Sequence, residues 1–350
     1  MTAHLNDVAR ALGYVLIALI LCALLFQLAG YPAPLLFRSI AEGAFLSPRA
    51  WLQTLRWAMP LFITATGVII AFRCGYFNVG AQGQFYMGAI AATWAADGLS
   101  NVPSIVALPV VFLCGVAGGA LWALWPGWLR IRSGTDEVIT TLMGNFIAIL
   151  VLLYVTSGPL KDPSGTGQAM TSRPISAVLR ISGSSGVSPA IMGVVAVVAV
   201  VVWLLVNRTA FGVLSSLAGR NPTMTIWQGA PMKRLGLGAF LLSGALAGLA
   251  GTVEVLGANG RLVSGFLPAH GFTAILIALV ANLSVAASIL ATLFFGGLAA
   301  ASLYLPVLVG LPAAAIDLIN AAIAVFVTAR RWPRRLLLPT WKQRERERRT

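Results

Sequence analysis

Apolar residues fall along this chain in long blocks. They show neither the alternation of a half-buried strand nor the narrow stripe of a surface helix. VLIALILCALLFQLAG (Val15 to Gly30) and IMGVVAVVAVVVWLLV (Ile191 to Val206) are apolar on nearly every face. Their lengths approach the ~20 residues that a helix needs to cross a bilayer. The same pattern predicts spans at residues 12–30, 57–72, 84–96, 104–124, 138–155, 190–206 and 235–256. A short apolar piece follows at 272–280, then spans at 286–305 and 311–329. The expectation is an all-α polytopic membrane bundle of about ten crossings. Two polar stretches divide the blocks. Residues 157–189 are rich in Gly, Ser and Pro and predict a loop, and residues 207–234 form a second hydrophilic connection.

Composition agrees with a membrane solvent. Of the 350 residues, 58% are hydrophobic and 10% charged, and the mean hydropathy is +0.87. A soluble domain carries about 25% charged residues. The net charge of +14 does not imply nucleic acid, because the basic residues cluster at the ends of apolar blocks and in the tail. With the N-terminus inside, Arg73, Arg130, Arg132, Arg208, Arg220, Lys233, Arg234 and the tail fall on the cytoplasmic side. Lys161, Arg173, Arg180 and Arg261 fall outside. This excess is what orients membrane proteins, and it places both termini in the cytoplasm. The first apolar block is long and lacks a small-x-small cleavage site, so it is expected to stay as an uncleaved span.

One segment breaks the apolar pattern. RCGYFNVGAQGQFYMGA (Arg73 to Ala89) sets Asn78, Gln82 and Gln84 among Gly75, Gly80, Gly83 and Gly88. Broken helices survive in hydrocarbon only where protein buries them or where they line a path. The amides therefore have two readings, a polar clamp repairing the break or the lining of a solute path. Asn145, in the fifth span, is either a further lining residue or an interhelical hydrogen bond. ANLSVAAS, with Asn282, echoes the first motif. Two carboxylates, Glu254 and Asp317, fall within spans, where such groups usually face the bundle interior or a cavity. Gly115 with Gly119, Gly244 with Gly248 and Ala247 with Gly251 are spaced four apart, the pattern of closely packed helices.

Catalytic chemistry is not legible. No GxxxxGK[ST] phosphate loop is present, so this chain does not hold ATP by that device. The two histidines, His4 and His270, read as a tail residue and a solvated external-loop residue. Cys22, Cys74 and Cys114 all sit in apolar runs and read as small buried hydrophobes. No catalytic set, metal cluster or cofactor motif is found.

Three segments in order resemble permease subunits of bacterial ABC importers, in the group handling ribose and other sugars, nucleosides and branched-chain amino acids. FRCGYFNVGAQGQFYMGA resembles the signature after the family's second span. GTDEVITTLMGNFIAILVLLYVTSGPLKDP resembles the nucleoside-type branch. TAFGVLSSLAGRNPTMTIWQGAPMKR followed by LSGALAGLAGTVEVLG resembles the cytoplasmic loop and next helix. The resemblance implies one permease domain over residues 1–335 with an external loop at 157–189, a cytoplasmic coupling loop at 207–234, and a basic cytoplasmic tail at 336–350. It implies ABC ATPase subunits, a second permease subunit (a paralogue, by analogy with the nucleoside branch), an extracytoplasmic solute-binding protein and the lipid of a bacterial inner membrane as partners. No nucleic acid and no cofactor enter. Asn78, Gly80, Gln82, Gln84, Asn145 and Asn282 become candidate pathway residues, with Glu254 and Asp317 as possible pathway carboxylates. Gly219, Arg220, Asn221, Pro222, Gln228 and Gly229 become candidates for ATPase coupling, with Pro222 starting a short helix. Where the family often has Glu, this chain has Gln82, which fits a neutral solute. Thr223 and Thr225 stand where alanines are usual, and ALVANLSVAAS lacks the family's Gly-Arg and Pro-Gly elements. The expected function is import of a nucleoside or similar neutral polar solute by alternating access. Simple sugars or branched-chain amino acids are the alternatives within the class, and an ATPase-independent secondary transporter is the alternative outside it.

Overall fold

Ser-Pro and Asn-Pro pairs mark where several helices begin. Ser47 and Ser188 accept hydrogen bonds from the amides of Ala50 and Ile191, each with proline at the first helical position. Such caps satisfy amides that have no partner inside the helix. The computed structural model describes residues 2–164, 170–181, 187–264, 270–312 and 314–329. The tail expected at 336–350 lies outside the described residues, as do parts of the 157–189 loop.

Fourteen α-helices follow in order among the described residues. They are α1 (Thr2–Leu28), α2 (Ala33–Ala44), α3 (Pro48–Arg73), α4 (Ala81–Gly98), α5 (Ser104–Ser133), α6 (Glu137–Ser157) and α7 (Pro189–Arg208). Then come α8 (Ala210–Arg220), α9 (Pro222–Trp227), α10 (Met232–Glu254), α11 (His270–Val280), α12 (Val285–Ala301), α13 (Leu305–Leu308) and α14 (Ala315–Ala329). A π-helical turn, Val255–Asn259, extends α10. Five of these elements are long and apolar enough to cross a membrane: α3, α5, α6, α7 and α10 with its π-turn. Shorter apolar helices stand at Gly13–Leu28, His270–Val280, Val285–Ala301 and Ala315–Val327. With α4, these ten elements coincide with the ten apolar blocks of the sequence. The chain is an all-α polytopic membrane bundle.

Two expectations change. The span expected at 104–124 continues as helix through WLRIRS to Ser133, and α5 ends at Gly134 in the left-handed conformation (φ 67°). In the 207–234 connection the short helix expected at Pro222 is α9, and a further helix that was not expected, α8, precedes it.

Two compact units divide the chain, residues 1–34 with 314–350 and residues 35–313. In the first, α1 packs on α14. In the second, α3 and α10 are central. Of their apolar windows, 83% and 72% are buried, against 22% for both α5 and α7. Glycines allow α10 to meet α4 and α5 backbone to backbone. A Cβ on Gly248 would collide with the Gly115 carbonyl, one on Gly119 with the Gly244 carbonyl, and one on Gly88 with Gly248 itself. The four-residue glycine spacings seen in the sequence are therefore the two faces of one interface.

One end of α10 meets the α3–α4 turn, where Gly236 packs on Tyr76. At the other end, Leu256 and Gly260 accept the amides of Ile181 and Ile175 from the 158–181 loop. In that loop the Ser164 hydroxyl, then its amide, holds the Asp162 carboxyl below the usual carboxylate range.

Candidate functional site: a buried amide cluster and its neighbours

The chain between α3 and α4 does not turn at the surface. Arg73 reaches the carbonyl of Leu283 just past one end of α11 (3.4 Å), while Gln82 accepts the Gly271 amide at the other end (2.6 Å). Eleven helical residues at 1.5 Å each separate those ends by about 16 Å. Residues 74–80 therefore climb into the bundle as irregular backbone, and α4 starts at depth. Every amide on that climb needs a partner, because no water replaces one in hydrocarbon.

Polar side chains supply them. Asn78 and Gln84 form a reciprocal pair: Asn78 Nδ2 donates to Gln84 Oε1 (2.9 Å), and Gln84 Nε2 donates to Asn78 Oδ1 (3.1 Å). Asn78 Nδ2 also donates to Ser243 Oγ of α10 (2.9 Å), and its Oδ1 accepts the Gly80 amide (3.0 Å). That fills the capacity of the Asn78 side chain. Asn145 of α6 accepts the Gly83 amide (2.8 Å) and donates to the Val79 carbonyl (3.0 Å). Gly80 offers no side-chain cap to α4, so Asn145 caps that helix from a neighbour. Thr141 accepts the Val79 amide and Glu137 the Phe77 amide, both at 3.3 Å. Glu137 is held in turn by Arg130 at 3.1 Å.

Asn78, Gln82, Gln84 and Asn145 are each at most 1% exposed. Gly80 fits among them, since a Cβ there would press on Thr141, Asn78 and Gln84. The structure thus brings five of the six candidate pathway residues together, with their polar atoms turned onto each other and onto the backbone.

Asn282 is not among them. It is exposed in the α11–α12 turn, with Asn282 and Leu283 both in left-handed conformation (φ 50° and 59°). The echo between the two Asn motifs does not extend to structure, because Asn78 is buried and Asn282 is not. Asp317 lies in the other unit, exposed in the first turn of α14.

Glu254 belongs to a second polar cluster. Arg56 of α3 donates to Glu254 Oε1 (3.3 Å) and to Asn259 Oδ1 (3.4 Å), and its guanidinium lies 4.6 Å from the centre of the Trp57 ring. His270 corrects the sequence reading. It is not a solvated loop residue but the buried start of α11, 2% exposed, with its ring 5.7 Å from Trp57 and 5.4 Å from Phe85. Its Nε2 lies 3.7 Å from Glu254 Oε2, beyond hydrogen-bond distance. A histidine inside an apolar span leaves no periodicity signal, and nothing in the sequence paired Arg56 with a carboxylate 198 residues away.

The coupling candidates form one surface feature. Gly219, near the end of α8, lies on the Arg73 carbonyl, where a Cβ would collide, and beside Gly75, whose left-handed backbone (φ 83°) disfavours a side chain. Arg220 closes α8. Asn221 then caps α9 through the Met224 amide (3.0 Å), with Pro222 at its first position. Gln228 and Gly229 (φ 74°) end it. Between them Met224, Ile226 and Trp227 are exposed, Trp227 to 85%. The sequence reading missed this apolar knob, whose signal is three large apolar residues inside a polar connection.

Fold and site together describe a membrane-embedded bundle whose centre holds irregular backbone on buried amides. Residues 50–328 match the family described as the permease component of the branched-chain amino acid transport system, and the chain belongs to that family. It is 34% identical to the glucose ABC transporter permease protein TsgB13 of Haloferax volcanii over 77% of this chain and 73% of that one. It is 29% identical to the guanosine ABC transporter permease protein NupP of Bacillus subtilis over 94% and 95%. It is 27% identical to the nucleoside ABC transporter permease protein NupB of Lactococcus lactis over 92% and 90%. The chain is accordingly a multi-pass permease subunit of the ABC-importer type.

Proposed function

We propose that this permease carries a nucleoside or a similar neutral, polyhydroxylated solute into the cytoplasm across a bacterial inner membrane. The observation that carries the substrate class is the extent of its likeness to guanosine and nucleoside permeases, which runs over nine-tenths of both chains. The neutral Gln82 supports an uncharged solute. ATP is hydrolysed by separate ATPase subunits that grip the exposed α9 knob, and this chain does no catalysis. A paralogous second permease completes the path, and an extracytoplasmic binding protein delivers the solute. Alternating access follows when ATPase closure shifts α8 and α9, and with them the 74–80 turn on which Gly219 rests. A solute shifts such a switch only through different affinity for its states. Within this scheme Asn78, Gly80, Gln82, Gln84 and Asn145 serve transport by holding that turn in register.

A second reading, import of a simple sugar, is favoured by the higher identity to the glucose permease. Branched-chain amino acids are the third solute class to try. Uptake by proteoliposomes holding the complete complex separates all three. ATP-dependent accumulation of labelled guanosine or adenosine is expected. Glucose or leucine uptake instead would overturn the substrate, and uptake without ATPase subunits would overturn the importer.

A further inference from the structure

The second cluster contains two buried nitrogens with no hydrogen-bond partner, Trp57 Nε1 and His270 Nε2. Their rings touch edge to face at 5.7 Å. Buried polar atoms without partners are few in native proteins, and each one asks for an explanation. Here one lies 3.7 Å from the Glu254 carboxylate and the other belongs to the Trp57 ring packed on His270, beside the place where α10 widens into a π-turn. Such turns recur at functional sites.

We propose that Trp57, Glu254 and His270 form a solute-contact site where α3, α10 and α11 meet, taking a neutral ligand that joins a planar heterocycle to hydroxyl groups. The inference rests on the nucleoside reading above and names the site it lacked. The indole N–H donates to a ring acceptor. The His270 nitrogen pairs with a second polar atom of the ring. Glu254 accepts from sugar hydroxyls, and the aromatic faces of Trp57, Phe85 and His270 give the ring apolar contact.

Arg56 acts as the cover. Its side chain is 17% exposed where Glu254 and His270 are each 3%. It spans the cluster by binding Glu254 and Asn259 and lying over Trp57. The void bounded by Arg56, Glu254, Ala258 and Ile191 is about 10 Å³, room for about one water molecule. A solute enters only when Arg56 withdraws, so the state seen here is closed at this point. The Gln82–Gly271 bond joins the site to the amide-held turn, so the turn and the site move together.

The test uses the complete complex of both permeases, ATPase and binding protein in proteoliposomes. Trp57→Phe keeps an aromatic ring under Arg56 and removes only the N–H. Its maximal nucleoside uptake is expected to fall by about two- to tenfold, the range for one hydrogen bond, with the complex still assembled. His270→Gln is expected to fall similarly. Photolabelling with 8-azidoadenosine gives a second readout, and label is expected in the peptides holding Trp57 and Glu254. Wild-type uptake by Trp57→Phe, or label only in other peptides, overturns the site. Loss of assembly in Trp57→Phe also overturns it, since the role is then structural. A wild-type complex that imports glucose and no nucleoside defeats the substrate reading, and with it the heterocycle contact.

Discussion

Replacing Asn145 by alanine removes both hydrogen bonds that tie α6 to the start of α4. The Gly83 amide and the Val79 carbonyl lose their partners, the first fully buried and the second partly so. In a bilayer an ordinary interhelical hydrogen bond is worth about 0.6 kcal/mol, so two sum to about 1.2. That figure assumes the freed groups find other partners. The Gly83 amide sits in the first turn of α4, where no intrahelical acceptor exists and Gly80 offers no cap. An orphaned buried amide adds about 1–3 kcal/mol. The expected loss is therefore about 2–4 kcal/mol. At about 2–4 °C per kcal/mol for a chain of this size, the midpoint falls by roughly 5–15 °C. Thermal unfolding of the detergent-solubilised complex, followed by size-exclusion of the remaining folded fraction, measures it. Asn207→Ala is the control, because Asn207 bonds only an exposed carbonyl of its own helix (2.9 Å). If Asn145→Ala unfolds no earlier than Asn207→Ala but loses uptake, Asn145 contacts solute and the clamp assignment is wrong.

Three further outcomes follow from the same geometry. Gly248→Ala places a Cβ against the Gly115 carbonyl and the Gly119 backbone. It is expected to destabilise by about 1–3 kcal/mol, whereas Gly98→Ala, where a Cβ meets open space, is expected to unfold at the wild-type temperature. Arg56→Met leaves Glu254 buried without its cation, a change worth about 3–5 kcal/mol. The double change Arg56→Met with Glu254→Met should recover most of the melting temperature while leaving transport lost, and a double variant no more stable than the single one refutes the ion pair. Trp227→Ala should lower the amount of ATPase co-purifying with the permease without altering its own melting temperature, Asn221→Ala should lower both because it removes the α9 cap, and wild-type stoichiometry in both removes α9 from the docking surface.

How much of this was visible in the sequence depends on the range of the interaction. Apolar length marked the spans because a bilayer imposes it residue by residue. The glycine spacing marked the α5–α10 interface because one helix face repeats every four residues. Pro222 marked α9 because proline suits a helix start. The amides were legible as an anomaly, yet composition left their direction open, since a clamp and a path lining use the same residue types. What decides the geometry is accounting: irregular backbone from 74 to 80 brings its amides into a medium without water. Partners came from Thr141 and Asn145 of α6 and Ser243 of α10. None of these is near Asn78 in sequence, so no local pattern could have named them. The same holds for Arg56, Glu254 and His270, which three separate helices bring together. In each case the sequence shows a polar residue where hydrocarbon disfavours one, and only the fold shows which second residue makes it tolerable. Polar groups in a span are therefore best read in sets. A set closed on itself, as with Asn78 and Gln84, holds the fold. A set with an atom left over, as with Trp57 and His270, is where a ligand contact is worth testing.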